Sequence, residues 1–395
     1  MKIYVVQPGD SVDAIAASQN VSAQSIIYDN QLTYPYALAV GQALLLSQPP
    51  GSADGEGNAE NEGNTPGSPG SELYPAYVGG YAYPFISRWV LNETLPYLSD
   101  LFIFSYGFTV EGELVPPQLD DTFMIDAAKS YGVAPILTLT PFGPDGRFSN
   151  YLISQVVNSE TAKRQLIDNL TAQIRERGFE GVDIDFEYIL PEDKFPFADF
   201  VREVRTAVNA LGYPVSVALA PKVSDTQSGL LYEGKDYALL GEAADYVLLM
   251  TYEWGYTYGP AMAVAPINKV RQVVEYALTK IPPEKIHLGI PNYGYDWTLP
   301  YVKGSSKATT IGNVEAVQIA IANGASIQFD EISQAPYFNY MQNGLTHEVW
   351  FEDVRSLTAK FSLVKEYRLR GMSYWQIMQL FRANWLLLDD TFAIR

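Results

Sequence analysis

Between Val182 and Glu187 the chain reads Val-Asp-Ile-Asp-Phe-Glu, an unbroken alternation of apolar and acidic side chains. Successive side chains of a β-strand point to opposite faces. On a strand, Asp183, Asp185 and Glu187 therefore share one face, and Val182, Ile184 and Phe186 share the other. Ionised carboxylates removed from water are costly unless paired, and neighbouring like charges cannot all ionise. Two settings tolerate such a strand. One is a solvated sheet edge; the other is a closed barrel whose apolar outer face lies under covering helices.

The flanking sequence favours the barrel. From Leu73 onward, short apolar runs alternate with amphipathic helical stretches, the pattern of βα units. Strands are expected at 77–83, 101–108, 133–140, 181–187, 214–220, 246–252, 285–293 and 371–377. The stretch 159–177 places Leu166, Ile167, Leu170 and Ile174 on one helical face. The stretch 196–211 does the same with Phe197, Phe200, Val201, Val204 and Val208. Eight strands with intervening helices predict an α/β fold, a (β/α)8 TIM barrel. An open doubly wound sheet would normally bring a glycine-rich nucleotide loop, and neither GxGxxG nor GxxxxGK[ST] occurs.

A small α+β insertion is expected at about 298–352, after the seventh strand. Asn343-Gly344 between apolar runs predicts a two-residue hairpin turn there. Asp353 is expected to cap a helix carrying Leu357, Phe361 and Val364, with Gly371 closing it. The three carboxylates then point into the barrel, with Glu187 at the C-terminal end of the fourth strand, where barrel enzymes carry their chemistry. Burial and mutual repulsion raise the pKa of such a set. A carboxylic acid that keeps its proton near neutral pH is what a general acid for glycoside cleavage requires.

Composition narrows the partners. Lys plus Arg number 26 and Asp plus Glu 45, a net charge of −19. That sign argues against nucleic acid, whose phosphates need a basic footprint, and against an electrostatic hold on an anionic membrane. No run approaches the ~18 apolar residues needed to span a bilayer. Cysteine is absent, which excludes disulfides, thiol catalysis and Cys-ligated zinc. His287 and His347 are far apart and outside any HExxH pattern, and no GxSxG elbow occurs. The first ten residues lack the apolar core and cleavage site of a secretory leader, so no signal peptide is expected.

Residues 1–48 form a separate module in this reading. Short strands at 3–6 and 43–46 flank two helices, capped by Asp10 or Ser11 and by Ser22. Residues 49–73 are rich in Gly, Ser, Asn, Pro and Glu and contain no Lys or Arg, which predicts a flexible acidic tether. Residues 74–395 make the barrel domain.

Two resemblances follow from these residues. Tyr4-Val5-Val6-Gln7-Pro8-Gly9-Asp10-Ser11, the Asp29-Asn30 step and Val40-Gly41-Gln42-Ala43-Leu44 resemble a LysM domain. That resemblance implies binding of N-acetylglucosamine-containing glycans, in peptidoglycan or chitin. The groove would lie between Gly9, Asp10 and Ser11 on one side and Asn30, Gln31 and Leu32 on the other. Residues 180–187 resemble the DGxDxDxE motif of glycoside hydrolase family 18, with Glu180 where the family often has Asp and Phe186 where many members have Trp. Met250-Thr251-Tyr252-Glu253 resembles the family's Met-x-Tyr-Asp, with Glu253 in place of Asp. Trp375 resembles the tryptophan that floors the −1 sugar site. Residues 137–141 lack the family's SxGG.

The family resemblance implies substrate-assisted retention, which needs no metal or organic cofactor. Glu187 protonates the glycosidic oxygen and later activates water. The substrate's own 2-acetamido oxygen attacks the anomeric carbon. Asp185 orients the acetamido group and stabilises the oxazolinium, Asp183 shares a proton with Asp185, and Tyr252 donates to the acetamido oxygen. Tyr81, Met250, Glu253, Tyr293 and Trp375 are the expected substrate-binding residues. The pairing of modules resembles the sporulation glucosaminidases. The expected substrate is therefore peptidoglycan of the spore cortex or its fragments, with the protein acting as a monomer at the spore coat, cortex or cell wall. The alternatives are a chitinase or endo-β-N-acetylglucosaminidase and, in a different class, a catalytically inert lectin, which would be expected to lack Glu187.

Overall fold

A computed structural model describes residues 1–47, 73–143 and 146–395. The expected tether, 49–73, falls outside the described residues except for Leu73.

The amino-terminal module is built as its capping residues dictate. Strand β1 (Lys2–Val5) pairs antiparallel with β2 (Ala43–Leu46), and helices α1 (Val12–Gln19) and α2 (Ala23–Asp29) cross between them. Ser11 Oγ accepts from Ala14 N at 3.2 Å to cap α1, and Ser22 Oγ accepts from Ser25 N at 3.4 Å to cap α2. Val6, Val12, Ile15, Ile26, Leu44 and Leu46 form its small core.

The module is seated on the barrel domain. Leu45, on the other face of β2, is fully buried in the barrel's own core cluster. Ile327 N donates to Val40 O at 2.8 Å, and Arg355 Nη2 to Gly41 O at 3.2 Å. Gly41 has φ +82°, and a Cβ there would stand 1.9 Å from Ile327 O, so only glycine permits this approach. Arg382 supplies a second hold. Its backbone N donates to Gln31 Oε1 at 2.7 Å, its Nη1 to Tyr28 O at 3.0 Å, and its guanidinium lies 3.9 Å from the Tyr28 ring centroid.

The large domain is a closed barrel. In chain order its sheet strands are β3 (Tyr74–Ala82), β4 (Asp100–Phe108), the two-residue β5 (Leu114–Val115), β6 (Ala134–Leu139), β7 (Val182–Ile184), β8 (Val215–Leu219), β9 (Tyr246–Leu249) and β10 (Ile286–Pro291). Strands β11 (Gly294–Thr298), β12 (Thr309–Ile311), β13 (Gln328–Asp330), β14 (Ala335–Gln342) and β15 (Leu345–Trp350) form a separate five-stranded sheet beside the helix Asn313–Ala322. Strands β16 (Gly371–Trp375) and β17 (Phe392–Ile394) complete the chain. The ring runs β3-β4-β6-β7-β8-β9-β10-β16 and returns to β3, every pair parallel. These are the eight strands expected from the sequence.

The outer face of β7 packs as its apolar set predicts. Val182 and Ile184, and Phe186 just past the strand's end, are at most 1% exposed, and Phe186 stacks on Phe108, Phe197 and Phe200. In the insertion, Gln342 pairs with Leu345 across Asn343 and Gly344, which take φ +52° and +78°, the two-residue turn the sequence called for. Asp353 caps the helix Val354–Glu366 in a capping box with Ser356. Gly371 does not close that helix. Arg368, at φ +54°, takes the left-handed position just past the C-cap Tyr367, and Gly371 begins β16. No described helix is long and apolar enough to cross a membrane.

Candidate active site

The strand ends on one rim of the barrel enclose a cavity of about 230 Å³. Asp185, Glu187 and Glu253 line it together with Met250, Tyr252, Trp375, Phe104 and Tyr83. The three carboxylates form a gradient of burial. Asp183 is fully buried, Asp185 is 6% exposed, and Glu187 is half-buried.

Asp183 lies deepest and does not line the cavity. Tyr81 OH donates to its Oδ2 at 2.8 Å and Ser216 Oγ to its Oδ1 at 2.7 Å. Burial pushes its pKa up to about 6; those two hydrogen bonds and the charge of Lys235 pull the other way. Asp185 is raised well above the carboxylate range by burial and then by Glu187, and its Oδ1 has no hydrogen-bond partner among the described residues. Burial also raises Glu187, with Lys235 opposing and Glu253 adding. No hydrogen bond joins Asp183 to Asp185. Tyr81 and Ser216 each donate to one of the two Asp183 oxygens.

The cation at the centre was not singled out from the sequence. Lys235 is fully buried, and Nζ donates to Ala218 O at 2.8 Å. Its charge acts on Asp185, Glu187 and Asp183, while burial lowers its own pKa. It arrives on the loop after β8. Gly234 makes the approach possible, since a Cβ there would stand 2.1 Å from Ile189 O.

The other expected positions divide by where they sit. Tyr252, Met250, Glu253 and Trp375 line the cavity. Tyr81 lines it too, yet its hydroxyl is committed to Asp183 and its ring stacks on Phe102 at 4.4 Å. Tyr293 does not line it; its hydroxyl and that of Tyr295 donate to Glu253 Oε1 and hold that carboxylate. Tyr188 and Glu253, the residues after Glu187 and Tyr252, take φ +60° and +67°, a conformation non-glycine residues rarely adopt and one that clusters at functional sites. Phe142 and Phe148 complete the rim and were missed, because aromatics on loops carry no periodicity.

In the amino-terminal module, Asp10 Oδ2 accepts from Tyr4 OH at 2.8 Å and Gln7 N at 2.7 Å, and Ser11 caps α1. Asn30 is committed to structure. Its Nδ2 donates to Ile26 O and Leu45 O, and its Oδ1 accepts from Leu45 N. Gln31 is engaged by Arg382, and Leu32 packs against the module's core. No group of three or more metal-ligating side chains occurs among the described residues.

Asp183 carries a stability cost that can be measured. Its pKa rises from 3.8 to about 6 on folding, so the native state binds the extra proton. Below pH 3.8 the residue is neutral in both states and costs nothing. Stability is lost as pH rises through about 6, by roughly 3 kcal/mol in all. Weakened bonds from Tyr81 and Ser216 offset part of that gain in Asp183→Asn. Denaturant unfolding is expected to show the variant roughly 1–2 kcal/mol more stable than wild type at pH 7.5, the advantage vanishing by pH 3.

A closed barrel with an acidic strand end facing an aromatic-lined cavity carries the parts a glycoside hydrolase needs. The family "Glycosyl hydrolases family 18" matches residues 142–379 and "LysM domain" matches residues 4–47, and the chain belongs to glycosyl hydrolase family 18 with an amino-terminal LysM domain. It is 39% identical to the cortical fragment-lytic enzyme of Bacillus subtilis (strain 168) over 429 residues, covering all of this chain and 99% of that one. The structures of the spore cortex-lytic enzyme SleL from Bacillus cereus and Bacillus megaterium QM B1551 both superpose with a TM-score of 0.91, at 32% and 34% identity, over 100% of this chain and 98% of theirs.

Proposed function

We propose that this hydrolase cleaves β-1,4 bonds at N-acetylglucosamine in spore-cortex peptidoglycan or its fragments, by substrate-assisted retaining catalysis. The observation that carries the mechanism is the pairing of Glu187 at the cavity mouth with a buried Asp185 whose Oδ1 is unpartnered. Glu187, its pKa raised by burial, donates a proton to the glycosidic oxygen. The departing bond leaves positive charge at the anomeric carbon, which the substrate's acetamido oxygen attacks, the recognised exception to a protein nucleophile. Asp185 accepts from the acetamido N–H and balances the oxazolinium. Tyr252, its hydroxyl held protonated by burial and by the neighbouring carboxylates, donates to the acetamido oxygen. Glu187 then takes a proton from water. The cavity's size and aromatic side suit one pyranose at its apolar face.

The substrate assignment draws on the full-length likeness to the cortical fragment-lytic enzyme of B. subtilis. In this reading the protein works as a monomer at the spore cortex, coat or wall, and the LysM module holds it to insoluble glycan through the Gly9–Ser11 turn. The second reading, a chitinase or endo-β-N-acetylglucosaminidase, shares the chemistry. Incubation with cortex fragments and chito-oligomers side by side, with products read by mass, separates the two. Release of N-acetylglucosamine from cortex fragments at the higher kcat/KM is expected; a preference for chito-oligomers reverses the assignment.

Lys235 acts as a positioning cation in this scheme. Its charge favours the ionised carboxylates, so Lys235→Met should raise their pKa values further. Both limbs of the pH–rate profile are then expected to move upward by about one unit. A fall in rate with both limbs unmoved would reduce Lys235 to a packing role.

A further inference from the structure

Lys235 hangs from the loop 220–236, which joins β8 to the helix Tyr237–Ala243. The middle of that loop is exposed at Val223 and Leu230, while a buried lysine stands near each end. Lys222 is 4% exposed and Lys235 is fully buried. Lys222 Nζ donates to Lys235 O at 2.9 Å, and Lys235 Nζ donates to Ala218 O at 2.8 Å. Ala218 lines the catalytic cavity, so the two lysines close a ring onto the cavity wall. Tyr237 fastens the start of the loop. Its hydroxyl accepts from Lys222 N at 3.1 Å and donates to Ala220 O at 2.5 Å.

We infer that Lys222 is a positioning residue for the proposed reaction, clamping the Lys235 carbonyl so that the Lys235 ammonium stays on the carboxylate set. Lys222 forms no ion pair among the described residues; the lysines that do are Lys163, Lys280 and Lys360. Taking an ammonium out of water with only a carbonyl as partner is costly, and an apolar side chain would close a loop at less expense. What the ammonium adds is a charge-assisted hydrogen bond, stronger than a neutral one. It falls on the residue whose own charge acts on Asp185, Glu187 and Asp183. Lys222 does not act on those carboxylates itself. The charges that shift them include Lys235 and not Lys222. The charges facing Lys222 are the acids Asp236 and Asp225 and the cations Lys194 and Lys280, and burial lowers its pKa. Any effect of Lys222 on the carboxylates therefore passes through the place where Lys235 is held. Gly234 narrows that place from the other side, since its backbone lies against Ile189 O. The inference rests on the role proposed above for Lys235.

The test is the pH–rate profile of the full chain on soluble muropeptide fragments, or on chito-oligomers if those are turned over faster. The variants are Lys222→Met, Lys222→Gln, Lys235→Met and the double variant Lys222→Met with Lys235→Met, each checked for folding by its melting temperature. Using two substitutions at Lys222 guards against one that fails to fold. Each is expected to lower kcat/KM about tenfold and to move both limbs upward by about half a unit, the direction of Lys235→Met but a smaller step, because the cation is loosened and not lost. The double variant should match Lys235→Met alone, since the clamp then has no charge left to place. Limbs that stay put in the folded Lys222 variants, while Lys235→Met shifts them, overturn the inference and leave the Lys235 reading standing. Losses that add in the double variant also overturn it, because Lys222 then acts by some route other than Lys235. Unmoved limbs in Lys235→Met remove the role of that cation, and the clamp falls with it.

Discussion

Glu187→Gln is expected to lower kcat on muropeptide fragments by about a thousandfold or more while leaving sugar binding in place. General acid catalysis supplies ~10²–10⁴ in rate, and here the same group must also activate water, so both halves of the reaction lose their proton carrier. Glutamine matches glutamate in shape but cannot donate that proton. The variant should fold at least as well as wild type, because the half-buried carboxyl sits beside Asp185 in a site whose burial disfavours its charge. Equal or higher melting temperature with lost turnover is the expected pair of results. Retained turnover would remove Glu187 from the mechanism.

Asp185→Asn is the second large effect, expected to cost about 10²–10³ in kcat with little change in KM. Asparagine keeps the shape and a hydrogen-bonding oxygen. It cannot supply the negative charge that balances an oxazolinium, so the loss falls on the transition state and not on ground-state binding. Asp185 is buried and has an unpartnered Oδ1, so neutralising it also removes a desolvation cost. Steady-state kinetics on soluble fragments separate the two parameters. A rise in KM at constant kcat would make Asp185 a binding residue only.

The acidic side of this site was legible because a strand has a period of two and burial of charge is expensive. Three carboxylates at alternate positions leave few harmless explanations, and Glu187 marks its own end of the barrel. The cation was not legible. Lys235 lies in Glu-Gly-Lys-Asp-Tyr, a loop with no periodicity, and reaches the carboxylates only because Gly234 lets the chain pass against Ile189. The partners of Asp183 were hidden for a similar reason. Tyr81 and Ser216 come from β3 and β8, and only the closed ring brings them to one oxygen pair. Tyr293 lies two residues past the end of β10, and its hydroxyl turns to Glu253 and not to the cavity.

The amino-terminal module shows the other side of the same limit. Caps and strand pairing follow from Ser11, Ser22 and the apolar runs, all local features. Its seating on the barrel depends on Leu45 and on an approach at Gly41 too close for any side chain, both long-range consequences. Asn30 was read by resemblance as a ligand residue; what its neighbours in sequence do not reveal is that its amide also bridges α2 and β2. Gly371 was misread because a glycine shortly after a helix suggests a stop, whereas Arg368 takes that conformation and the glycine opens a strand.

The most direct measurement is the anomeric configuration of the first product. Wild-type enzyme acting on cortex fragments or N-acetylglucosamine oligomers, followed by proton NMR within the first minutes, reports the newly freed reducing end before it equilibrates. Attack by the substrate's own acetamido oxygen, followed by water from the Glu187 side, inverts the centre twice, so the β-anomer should accumulate first and then decay toward the equilibrium mixture. Initial accumulation of the α-anomer would mean a single displacement by water and would contradict the mechanism assigned to Glu187 and Asp185.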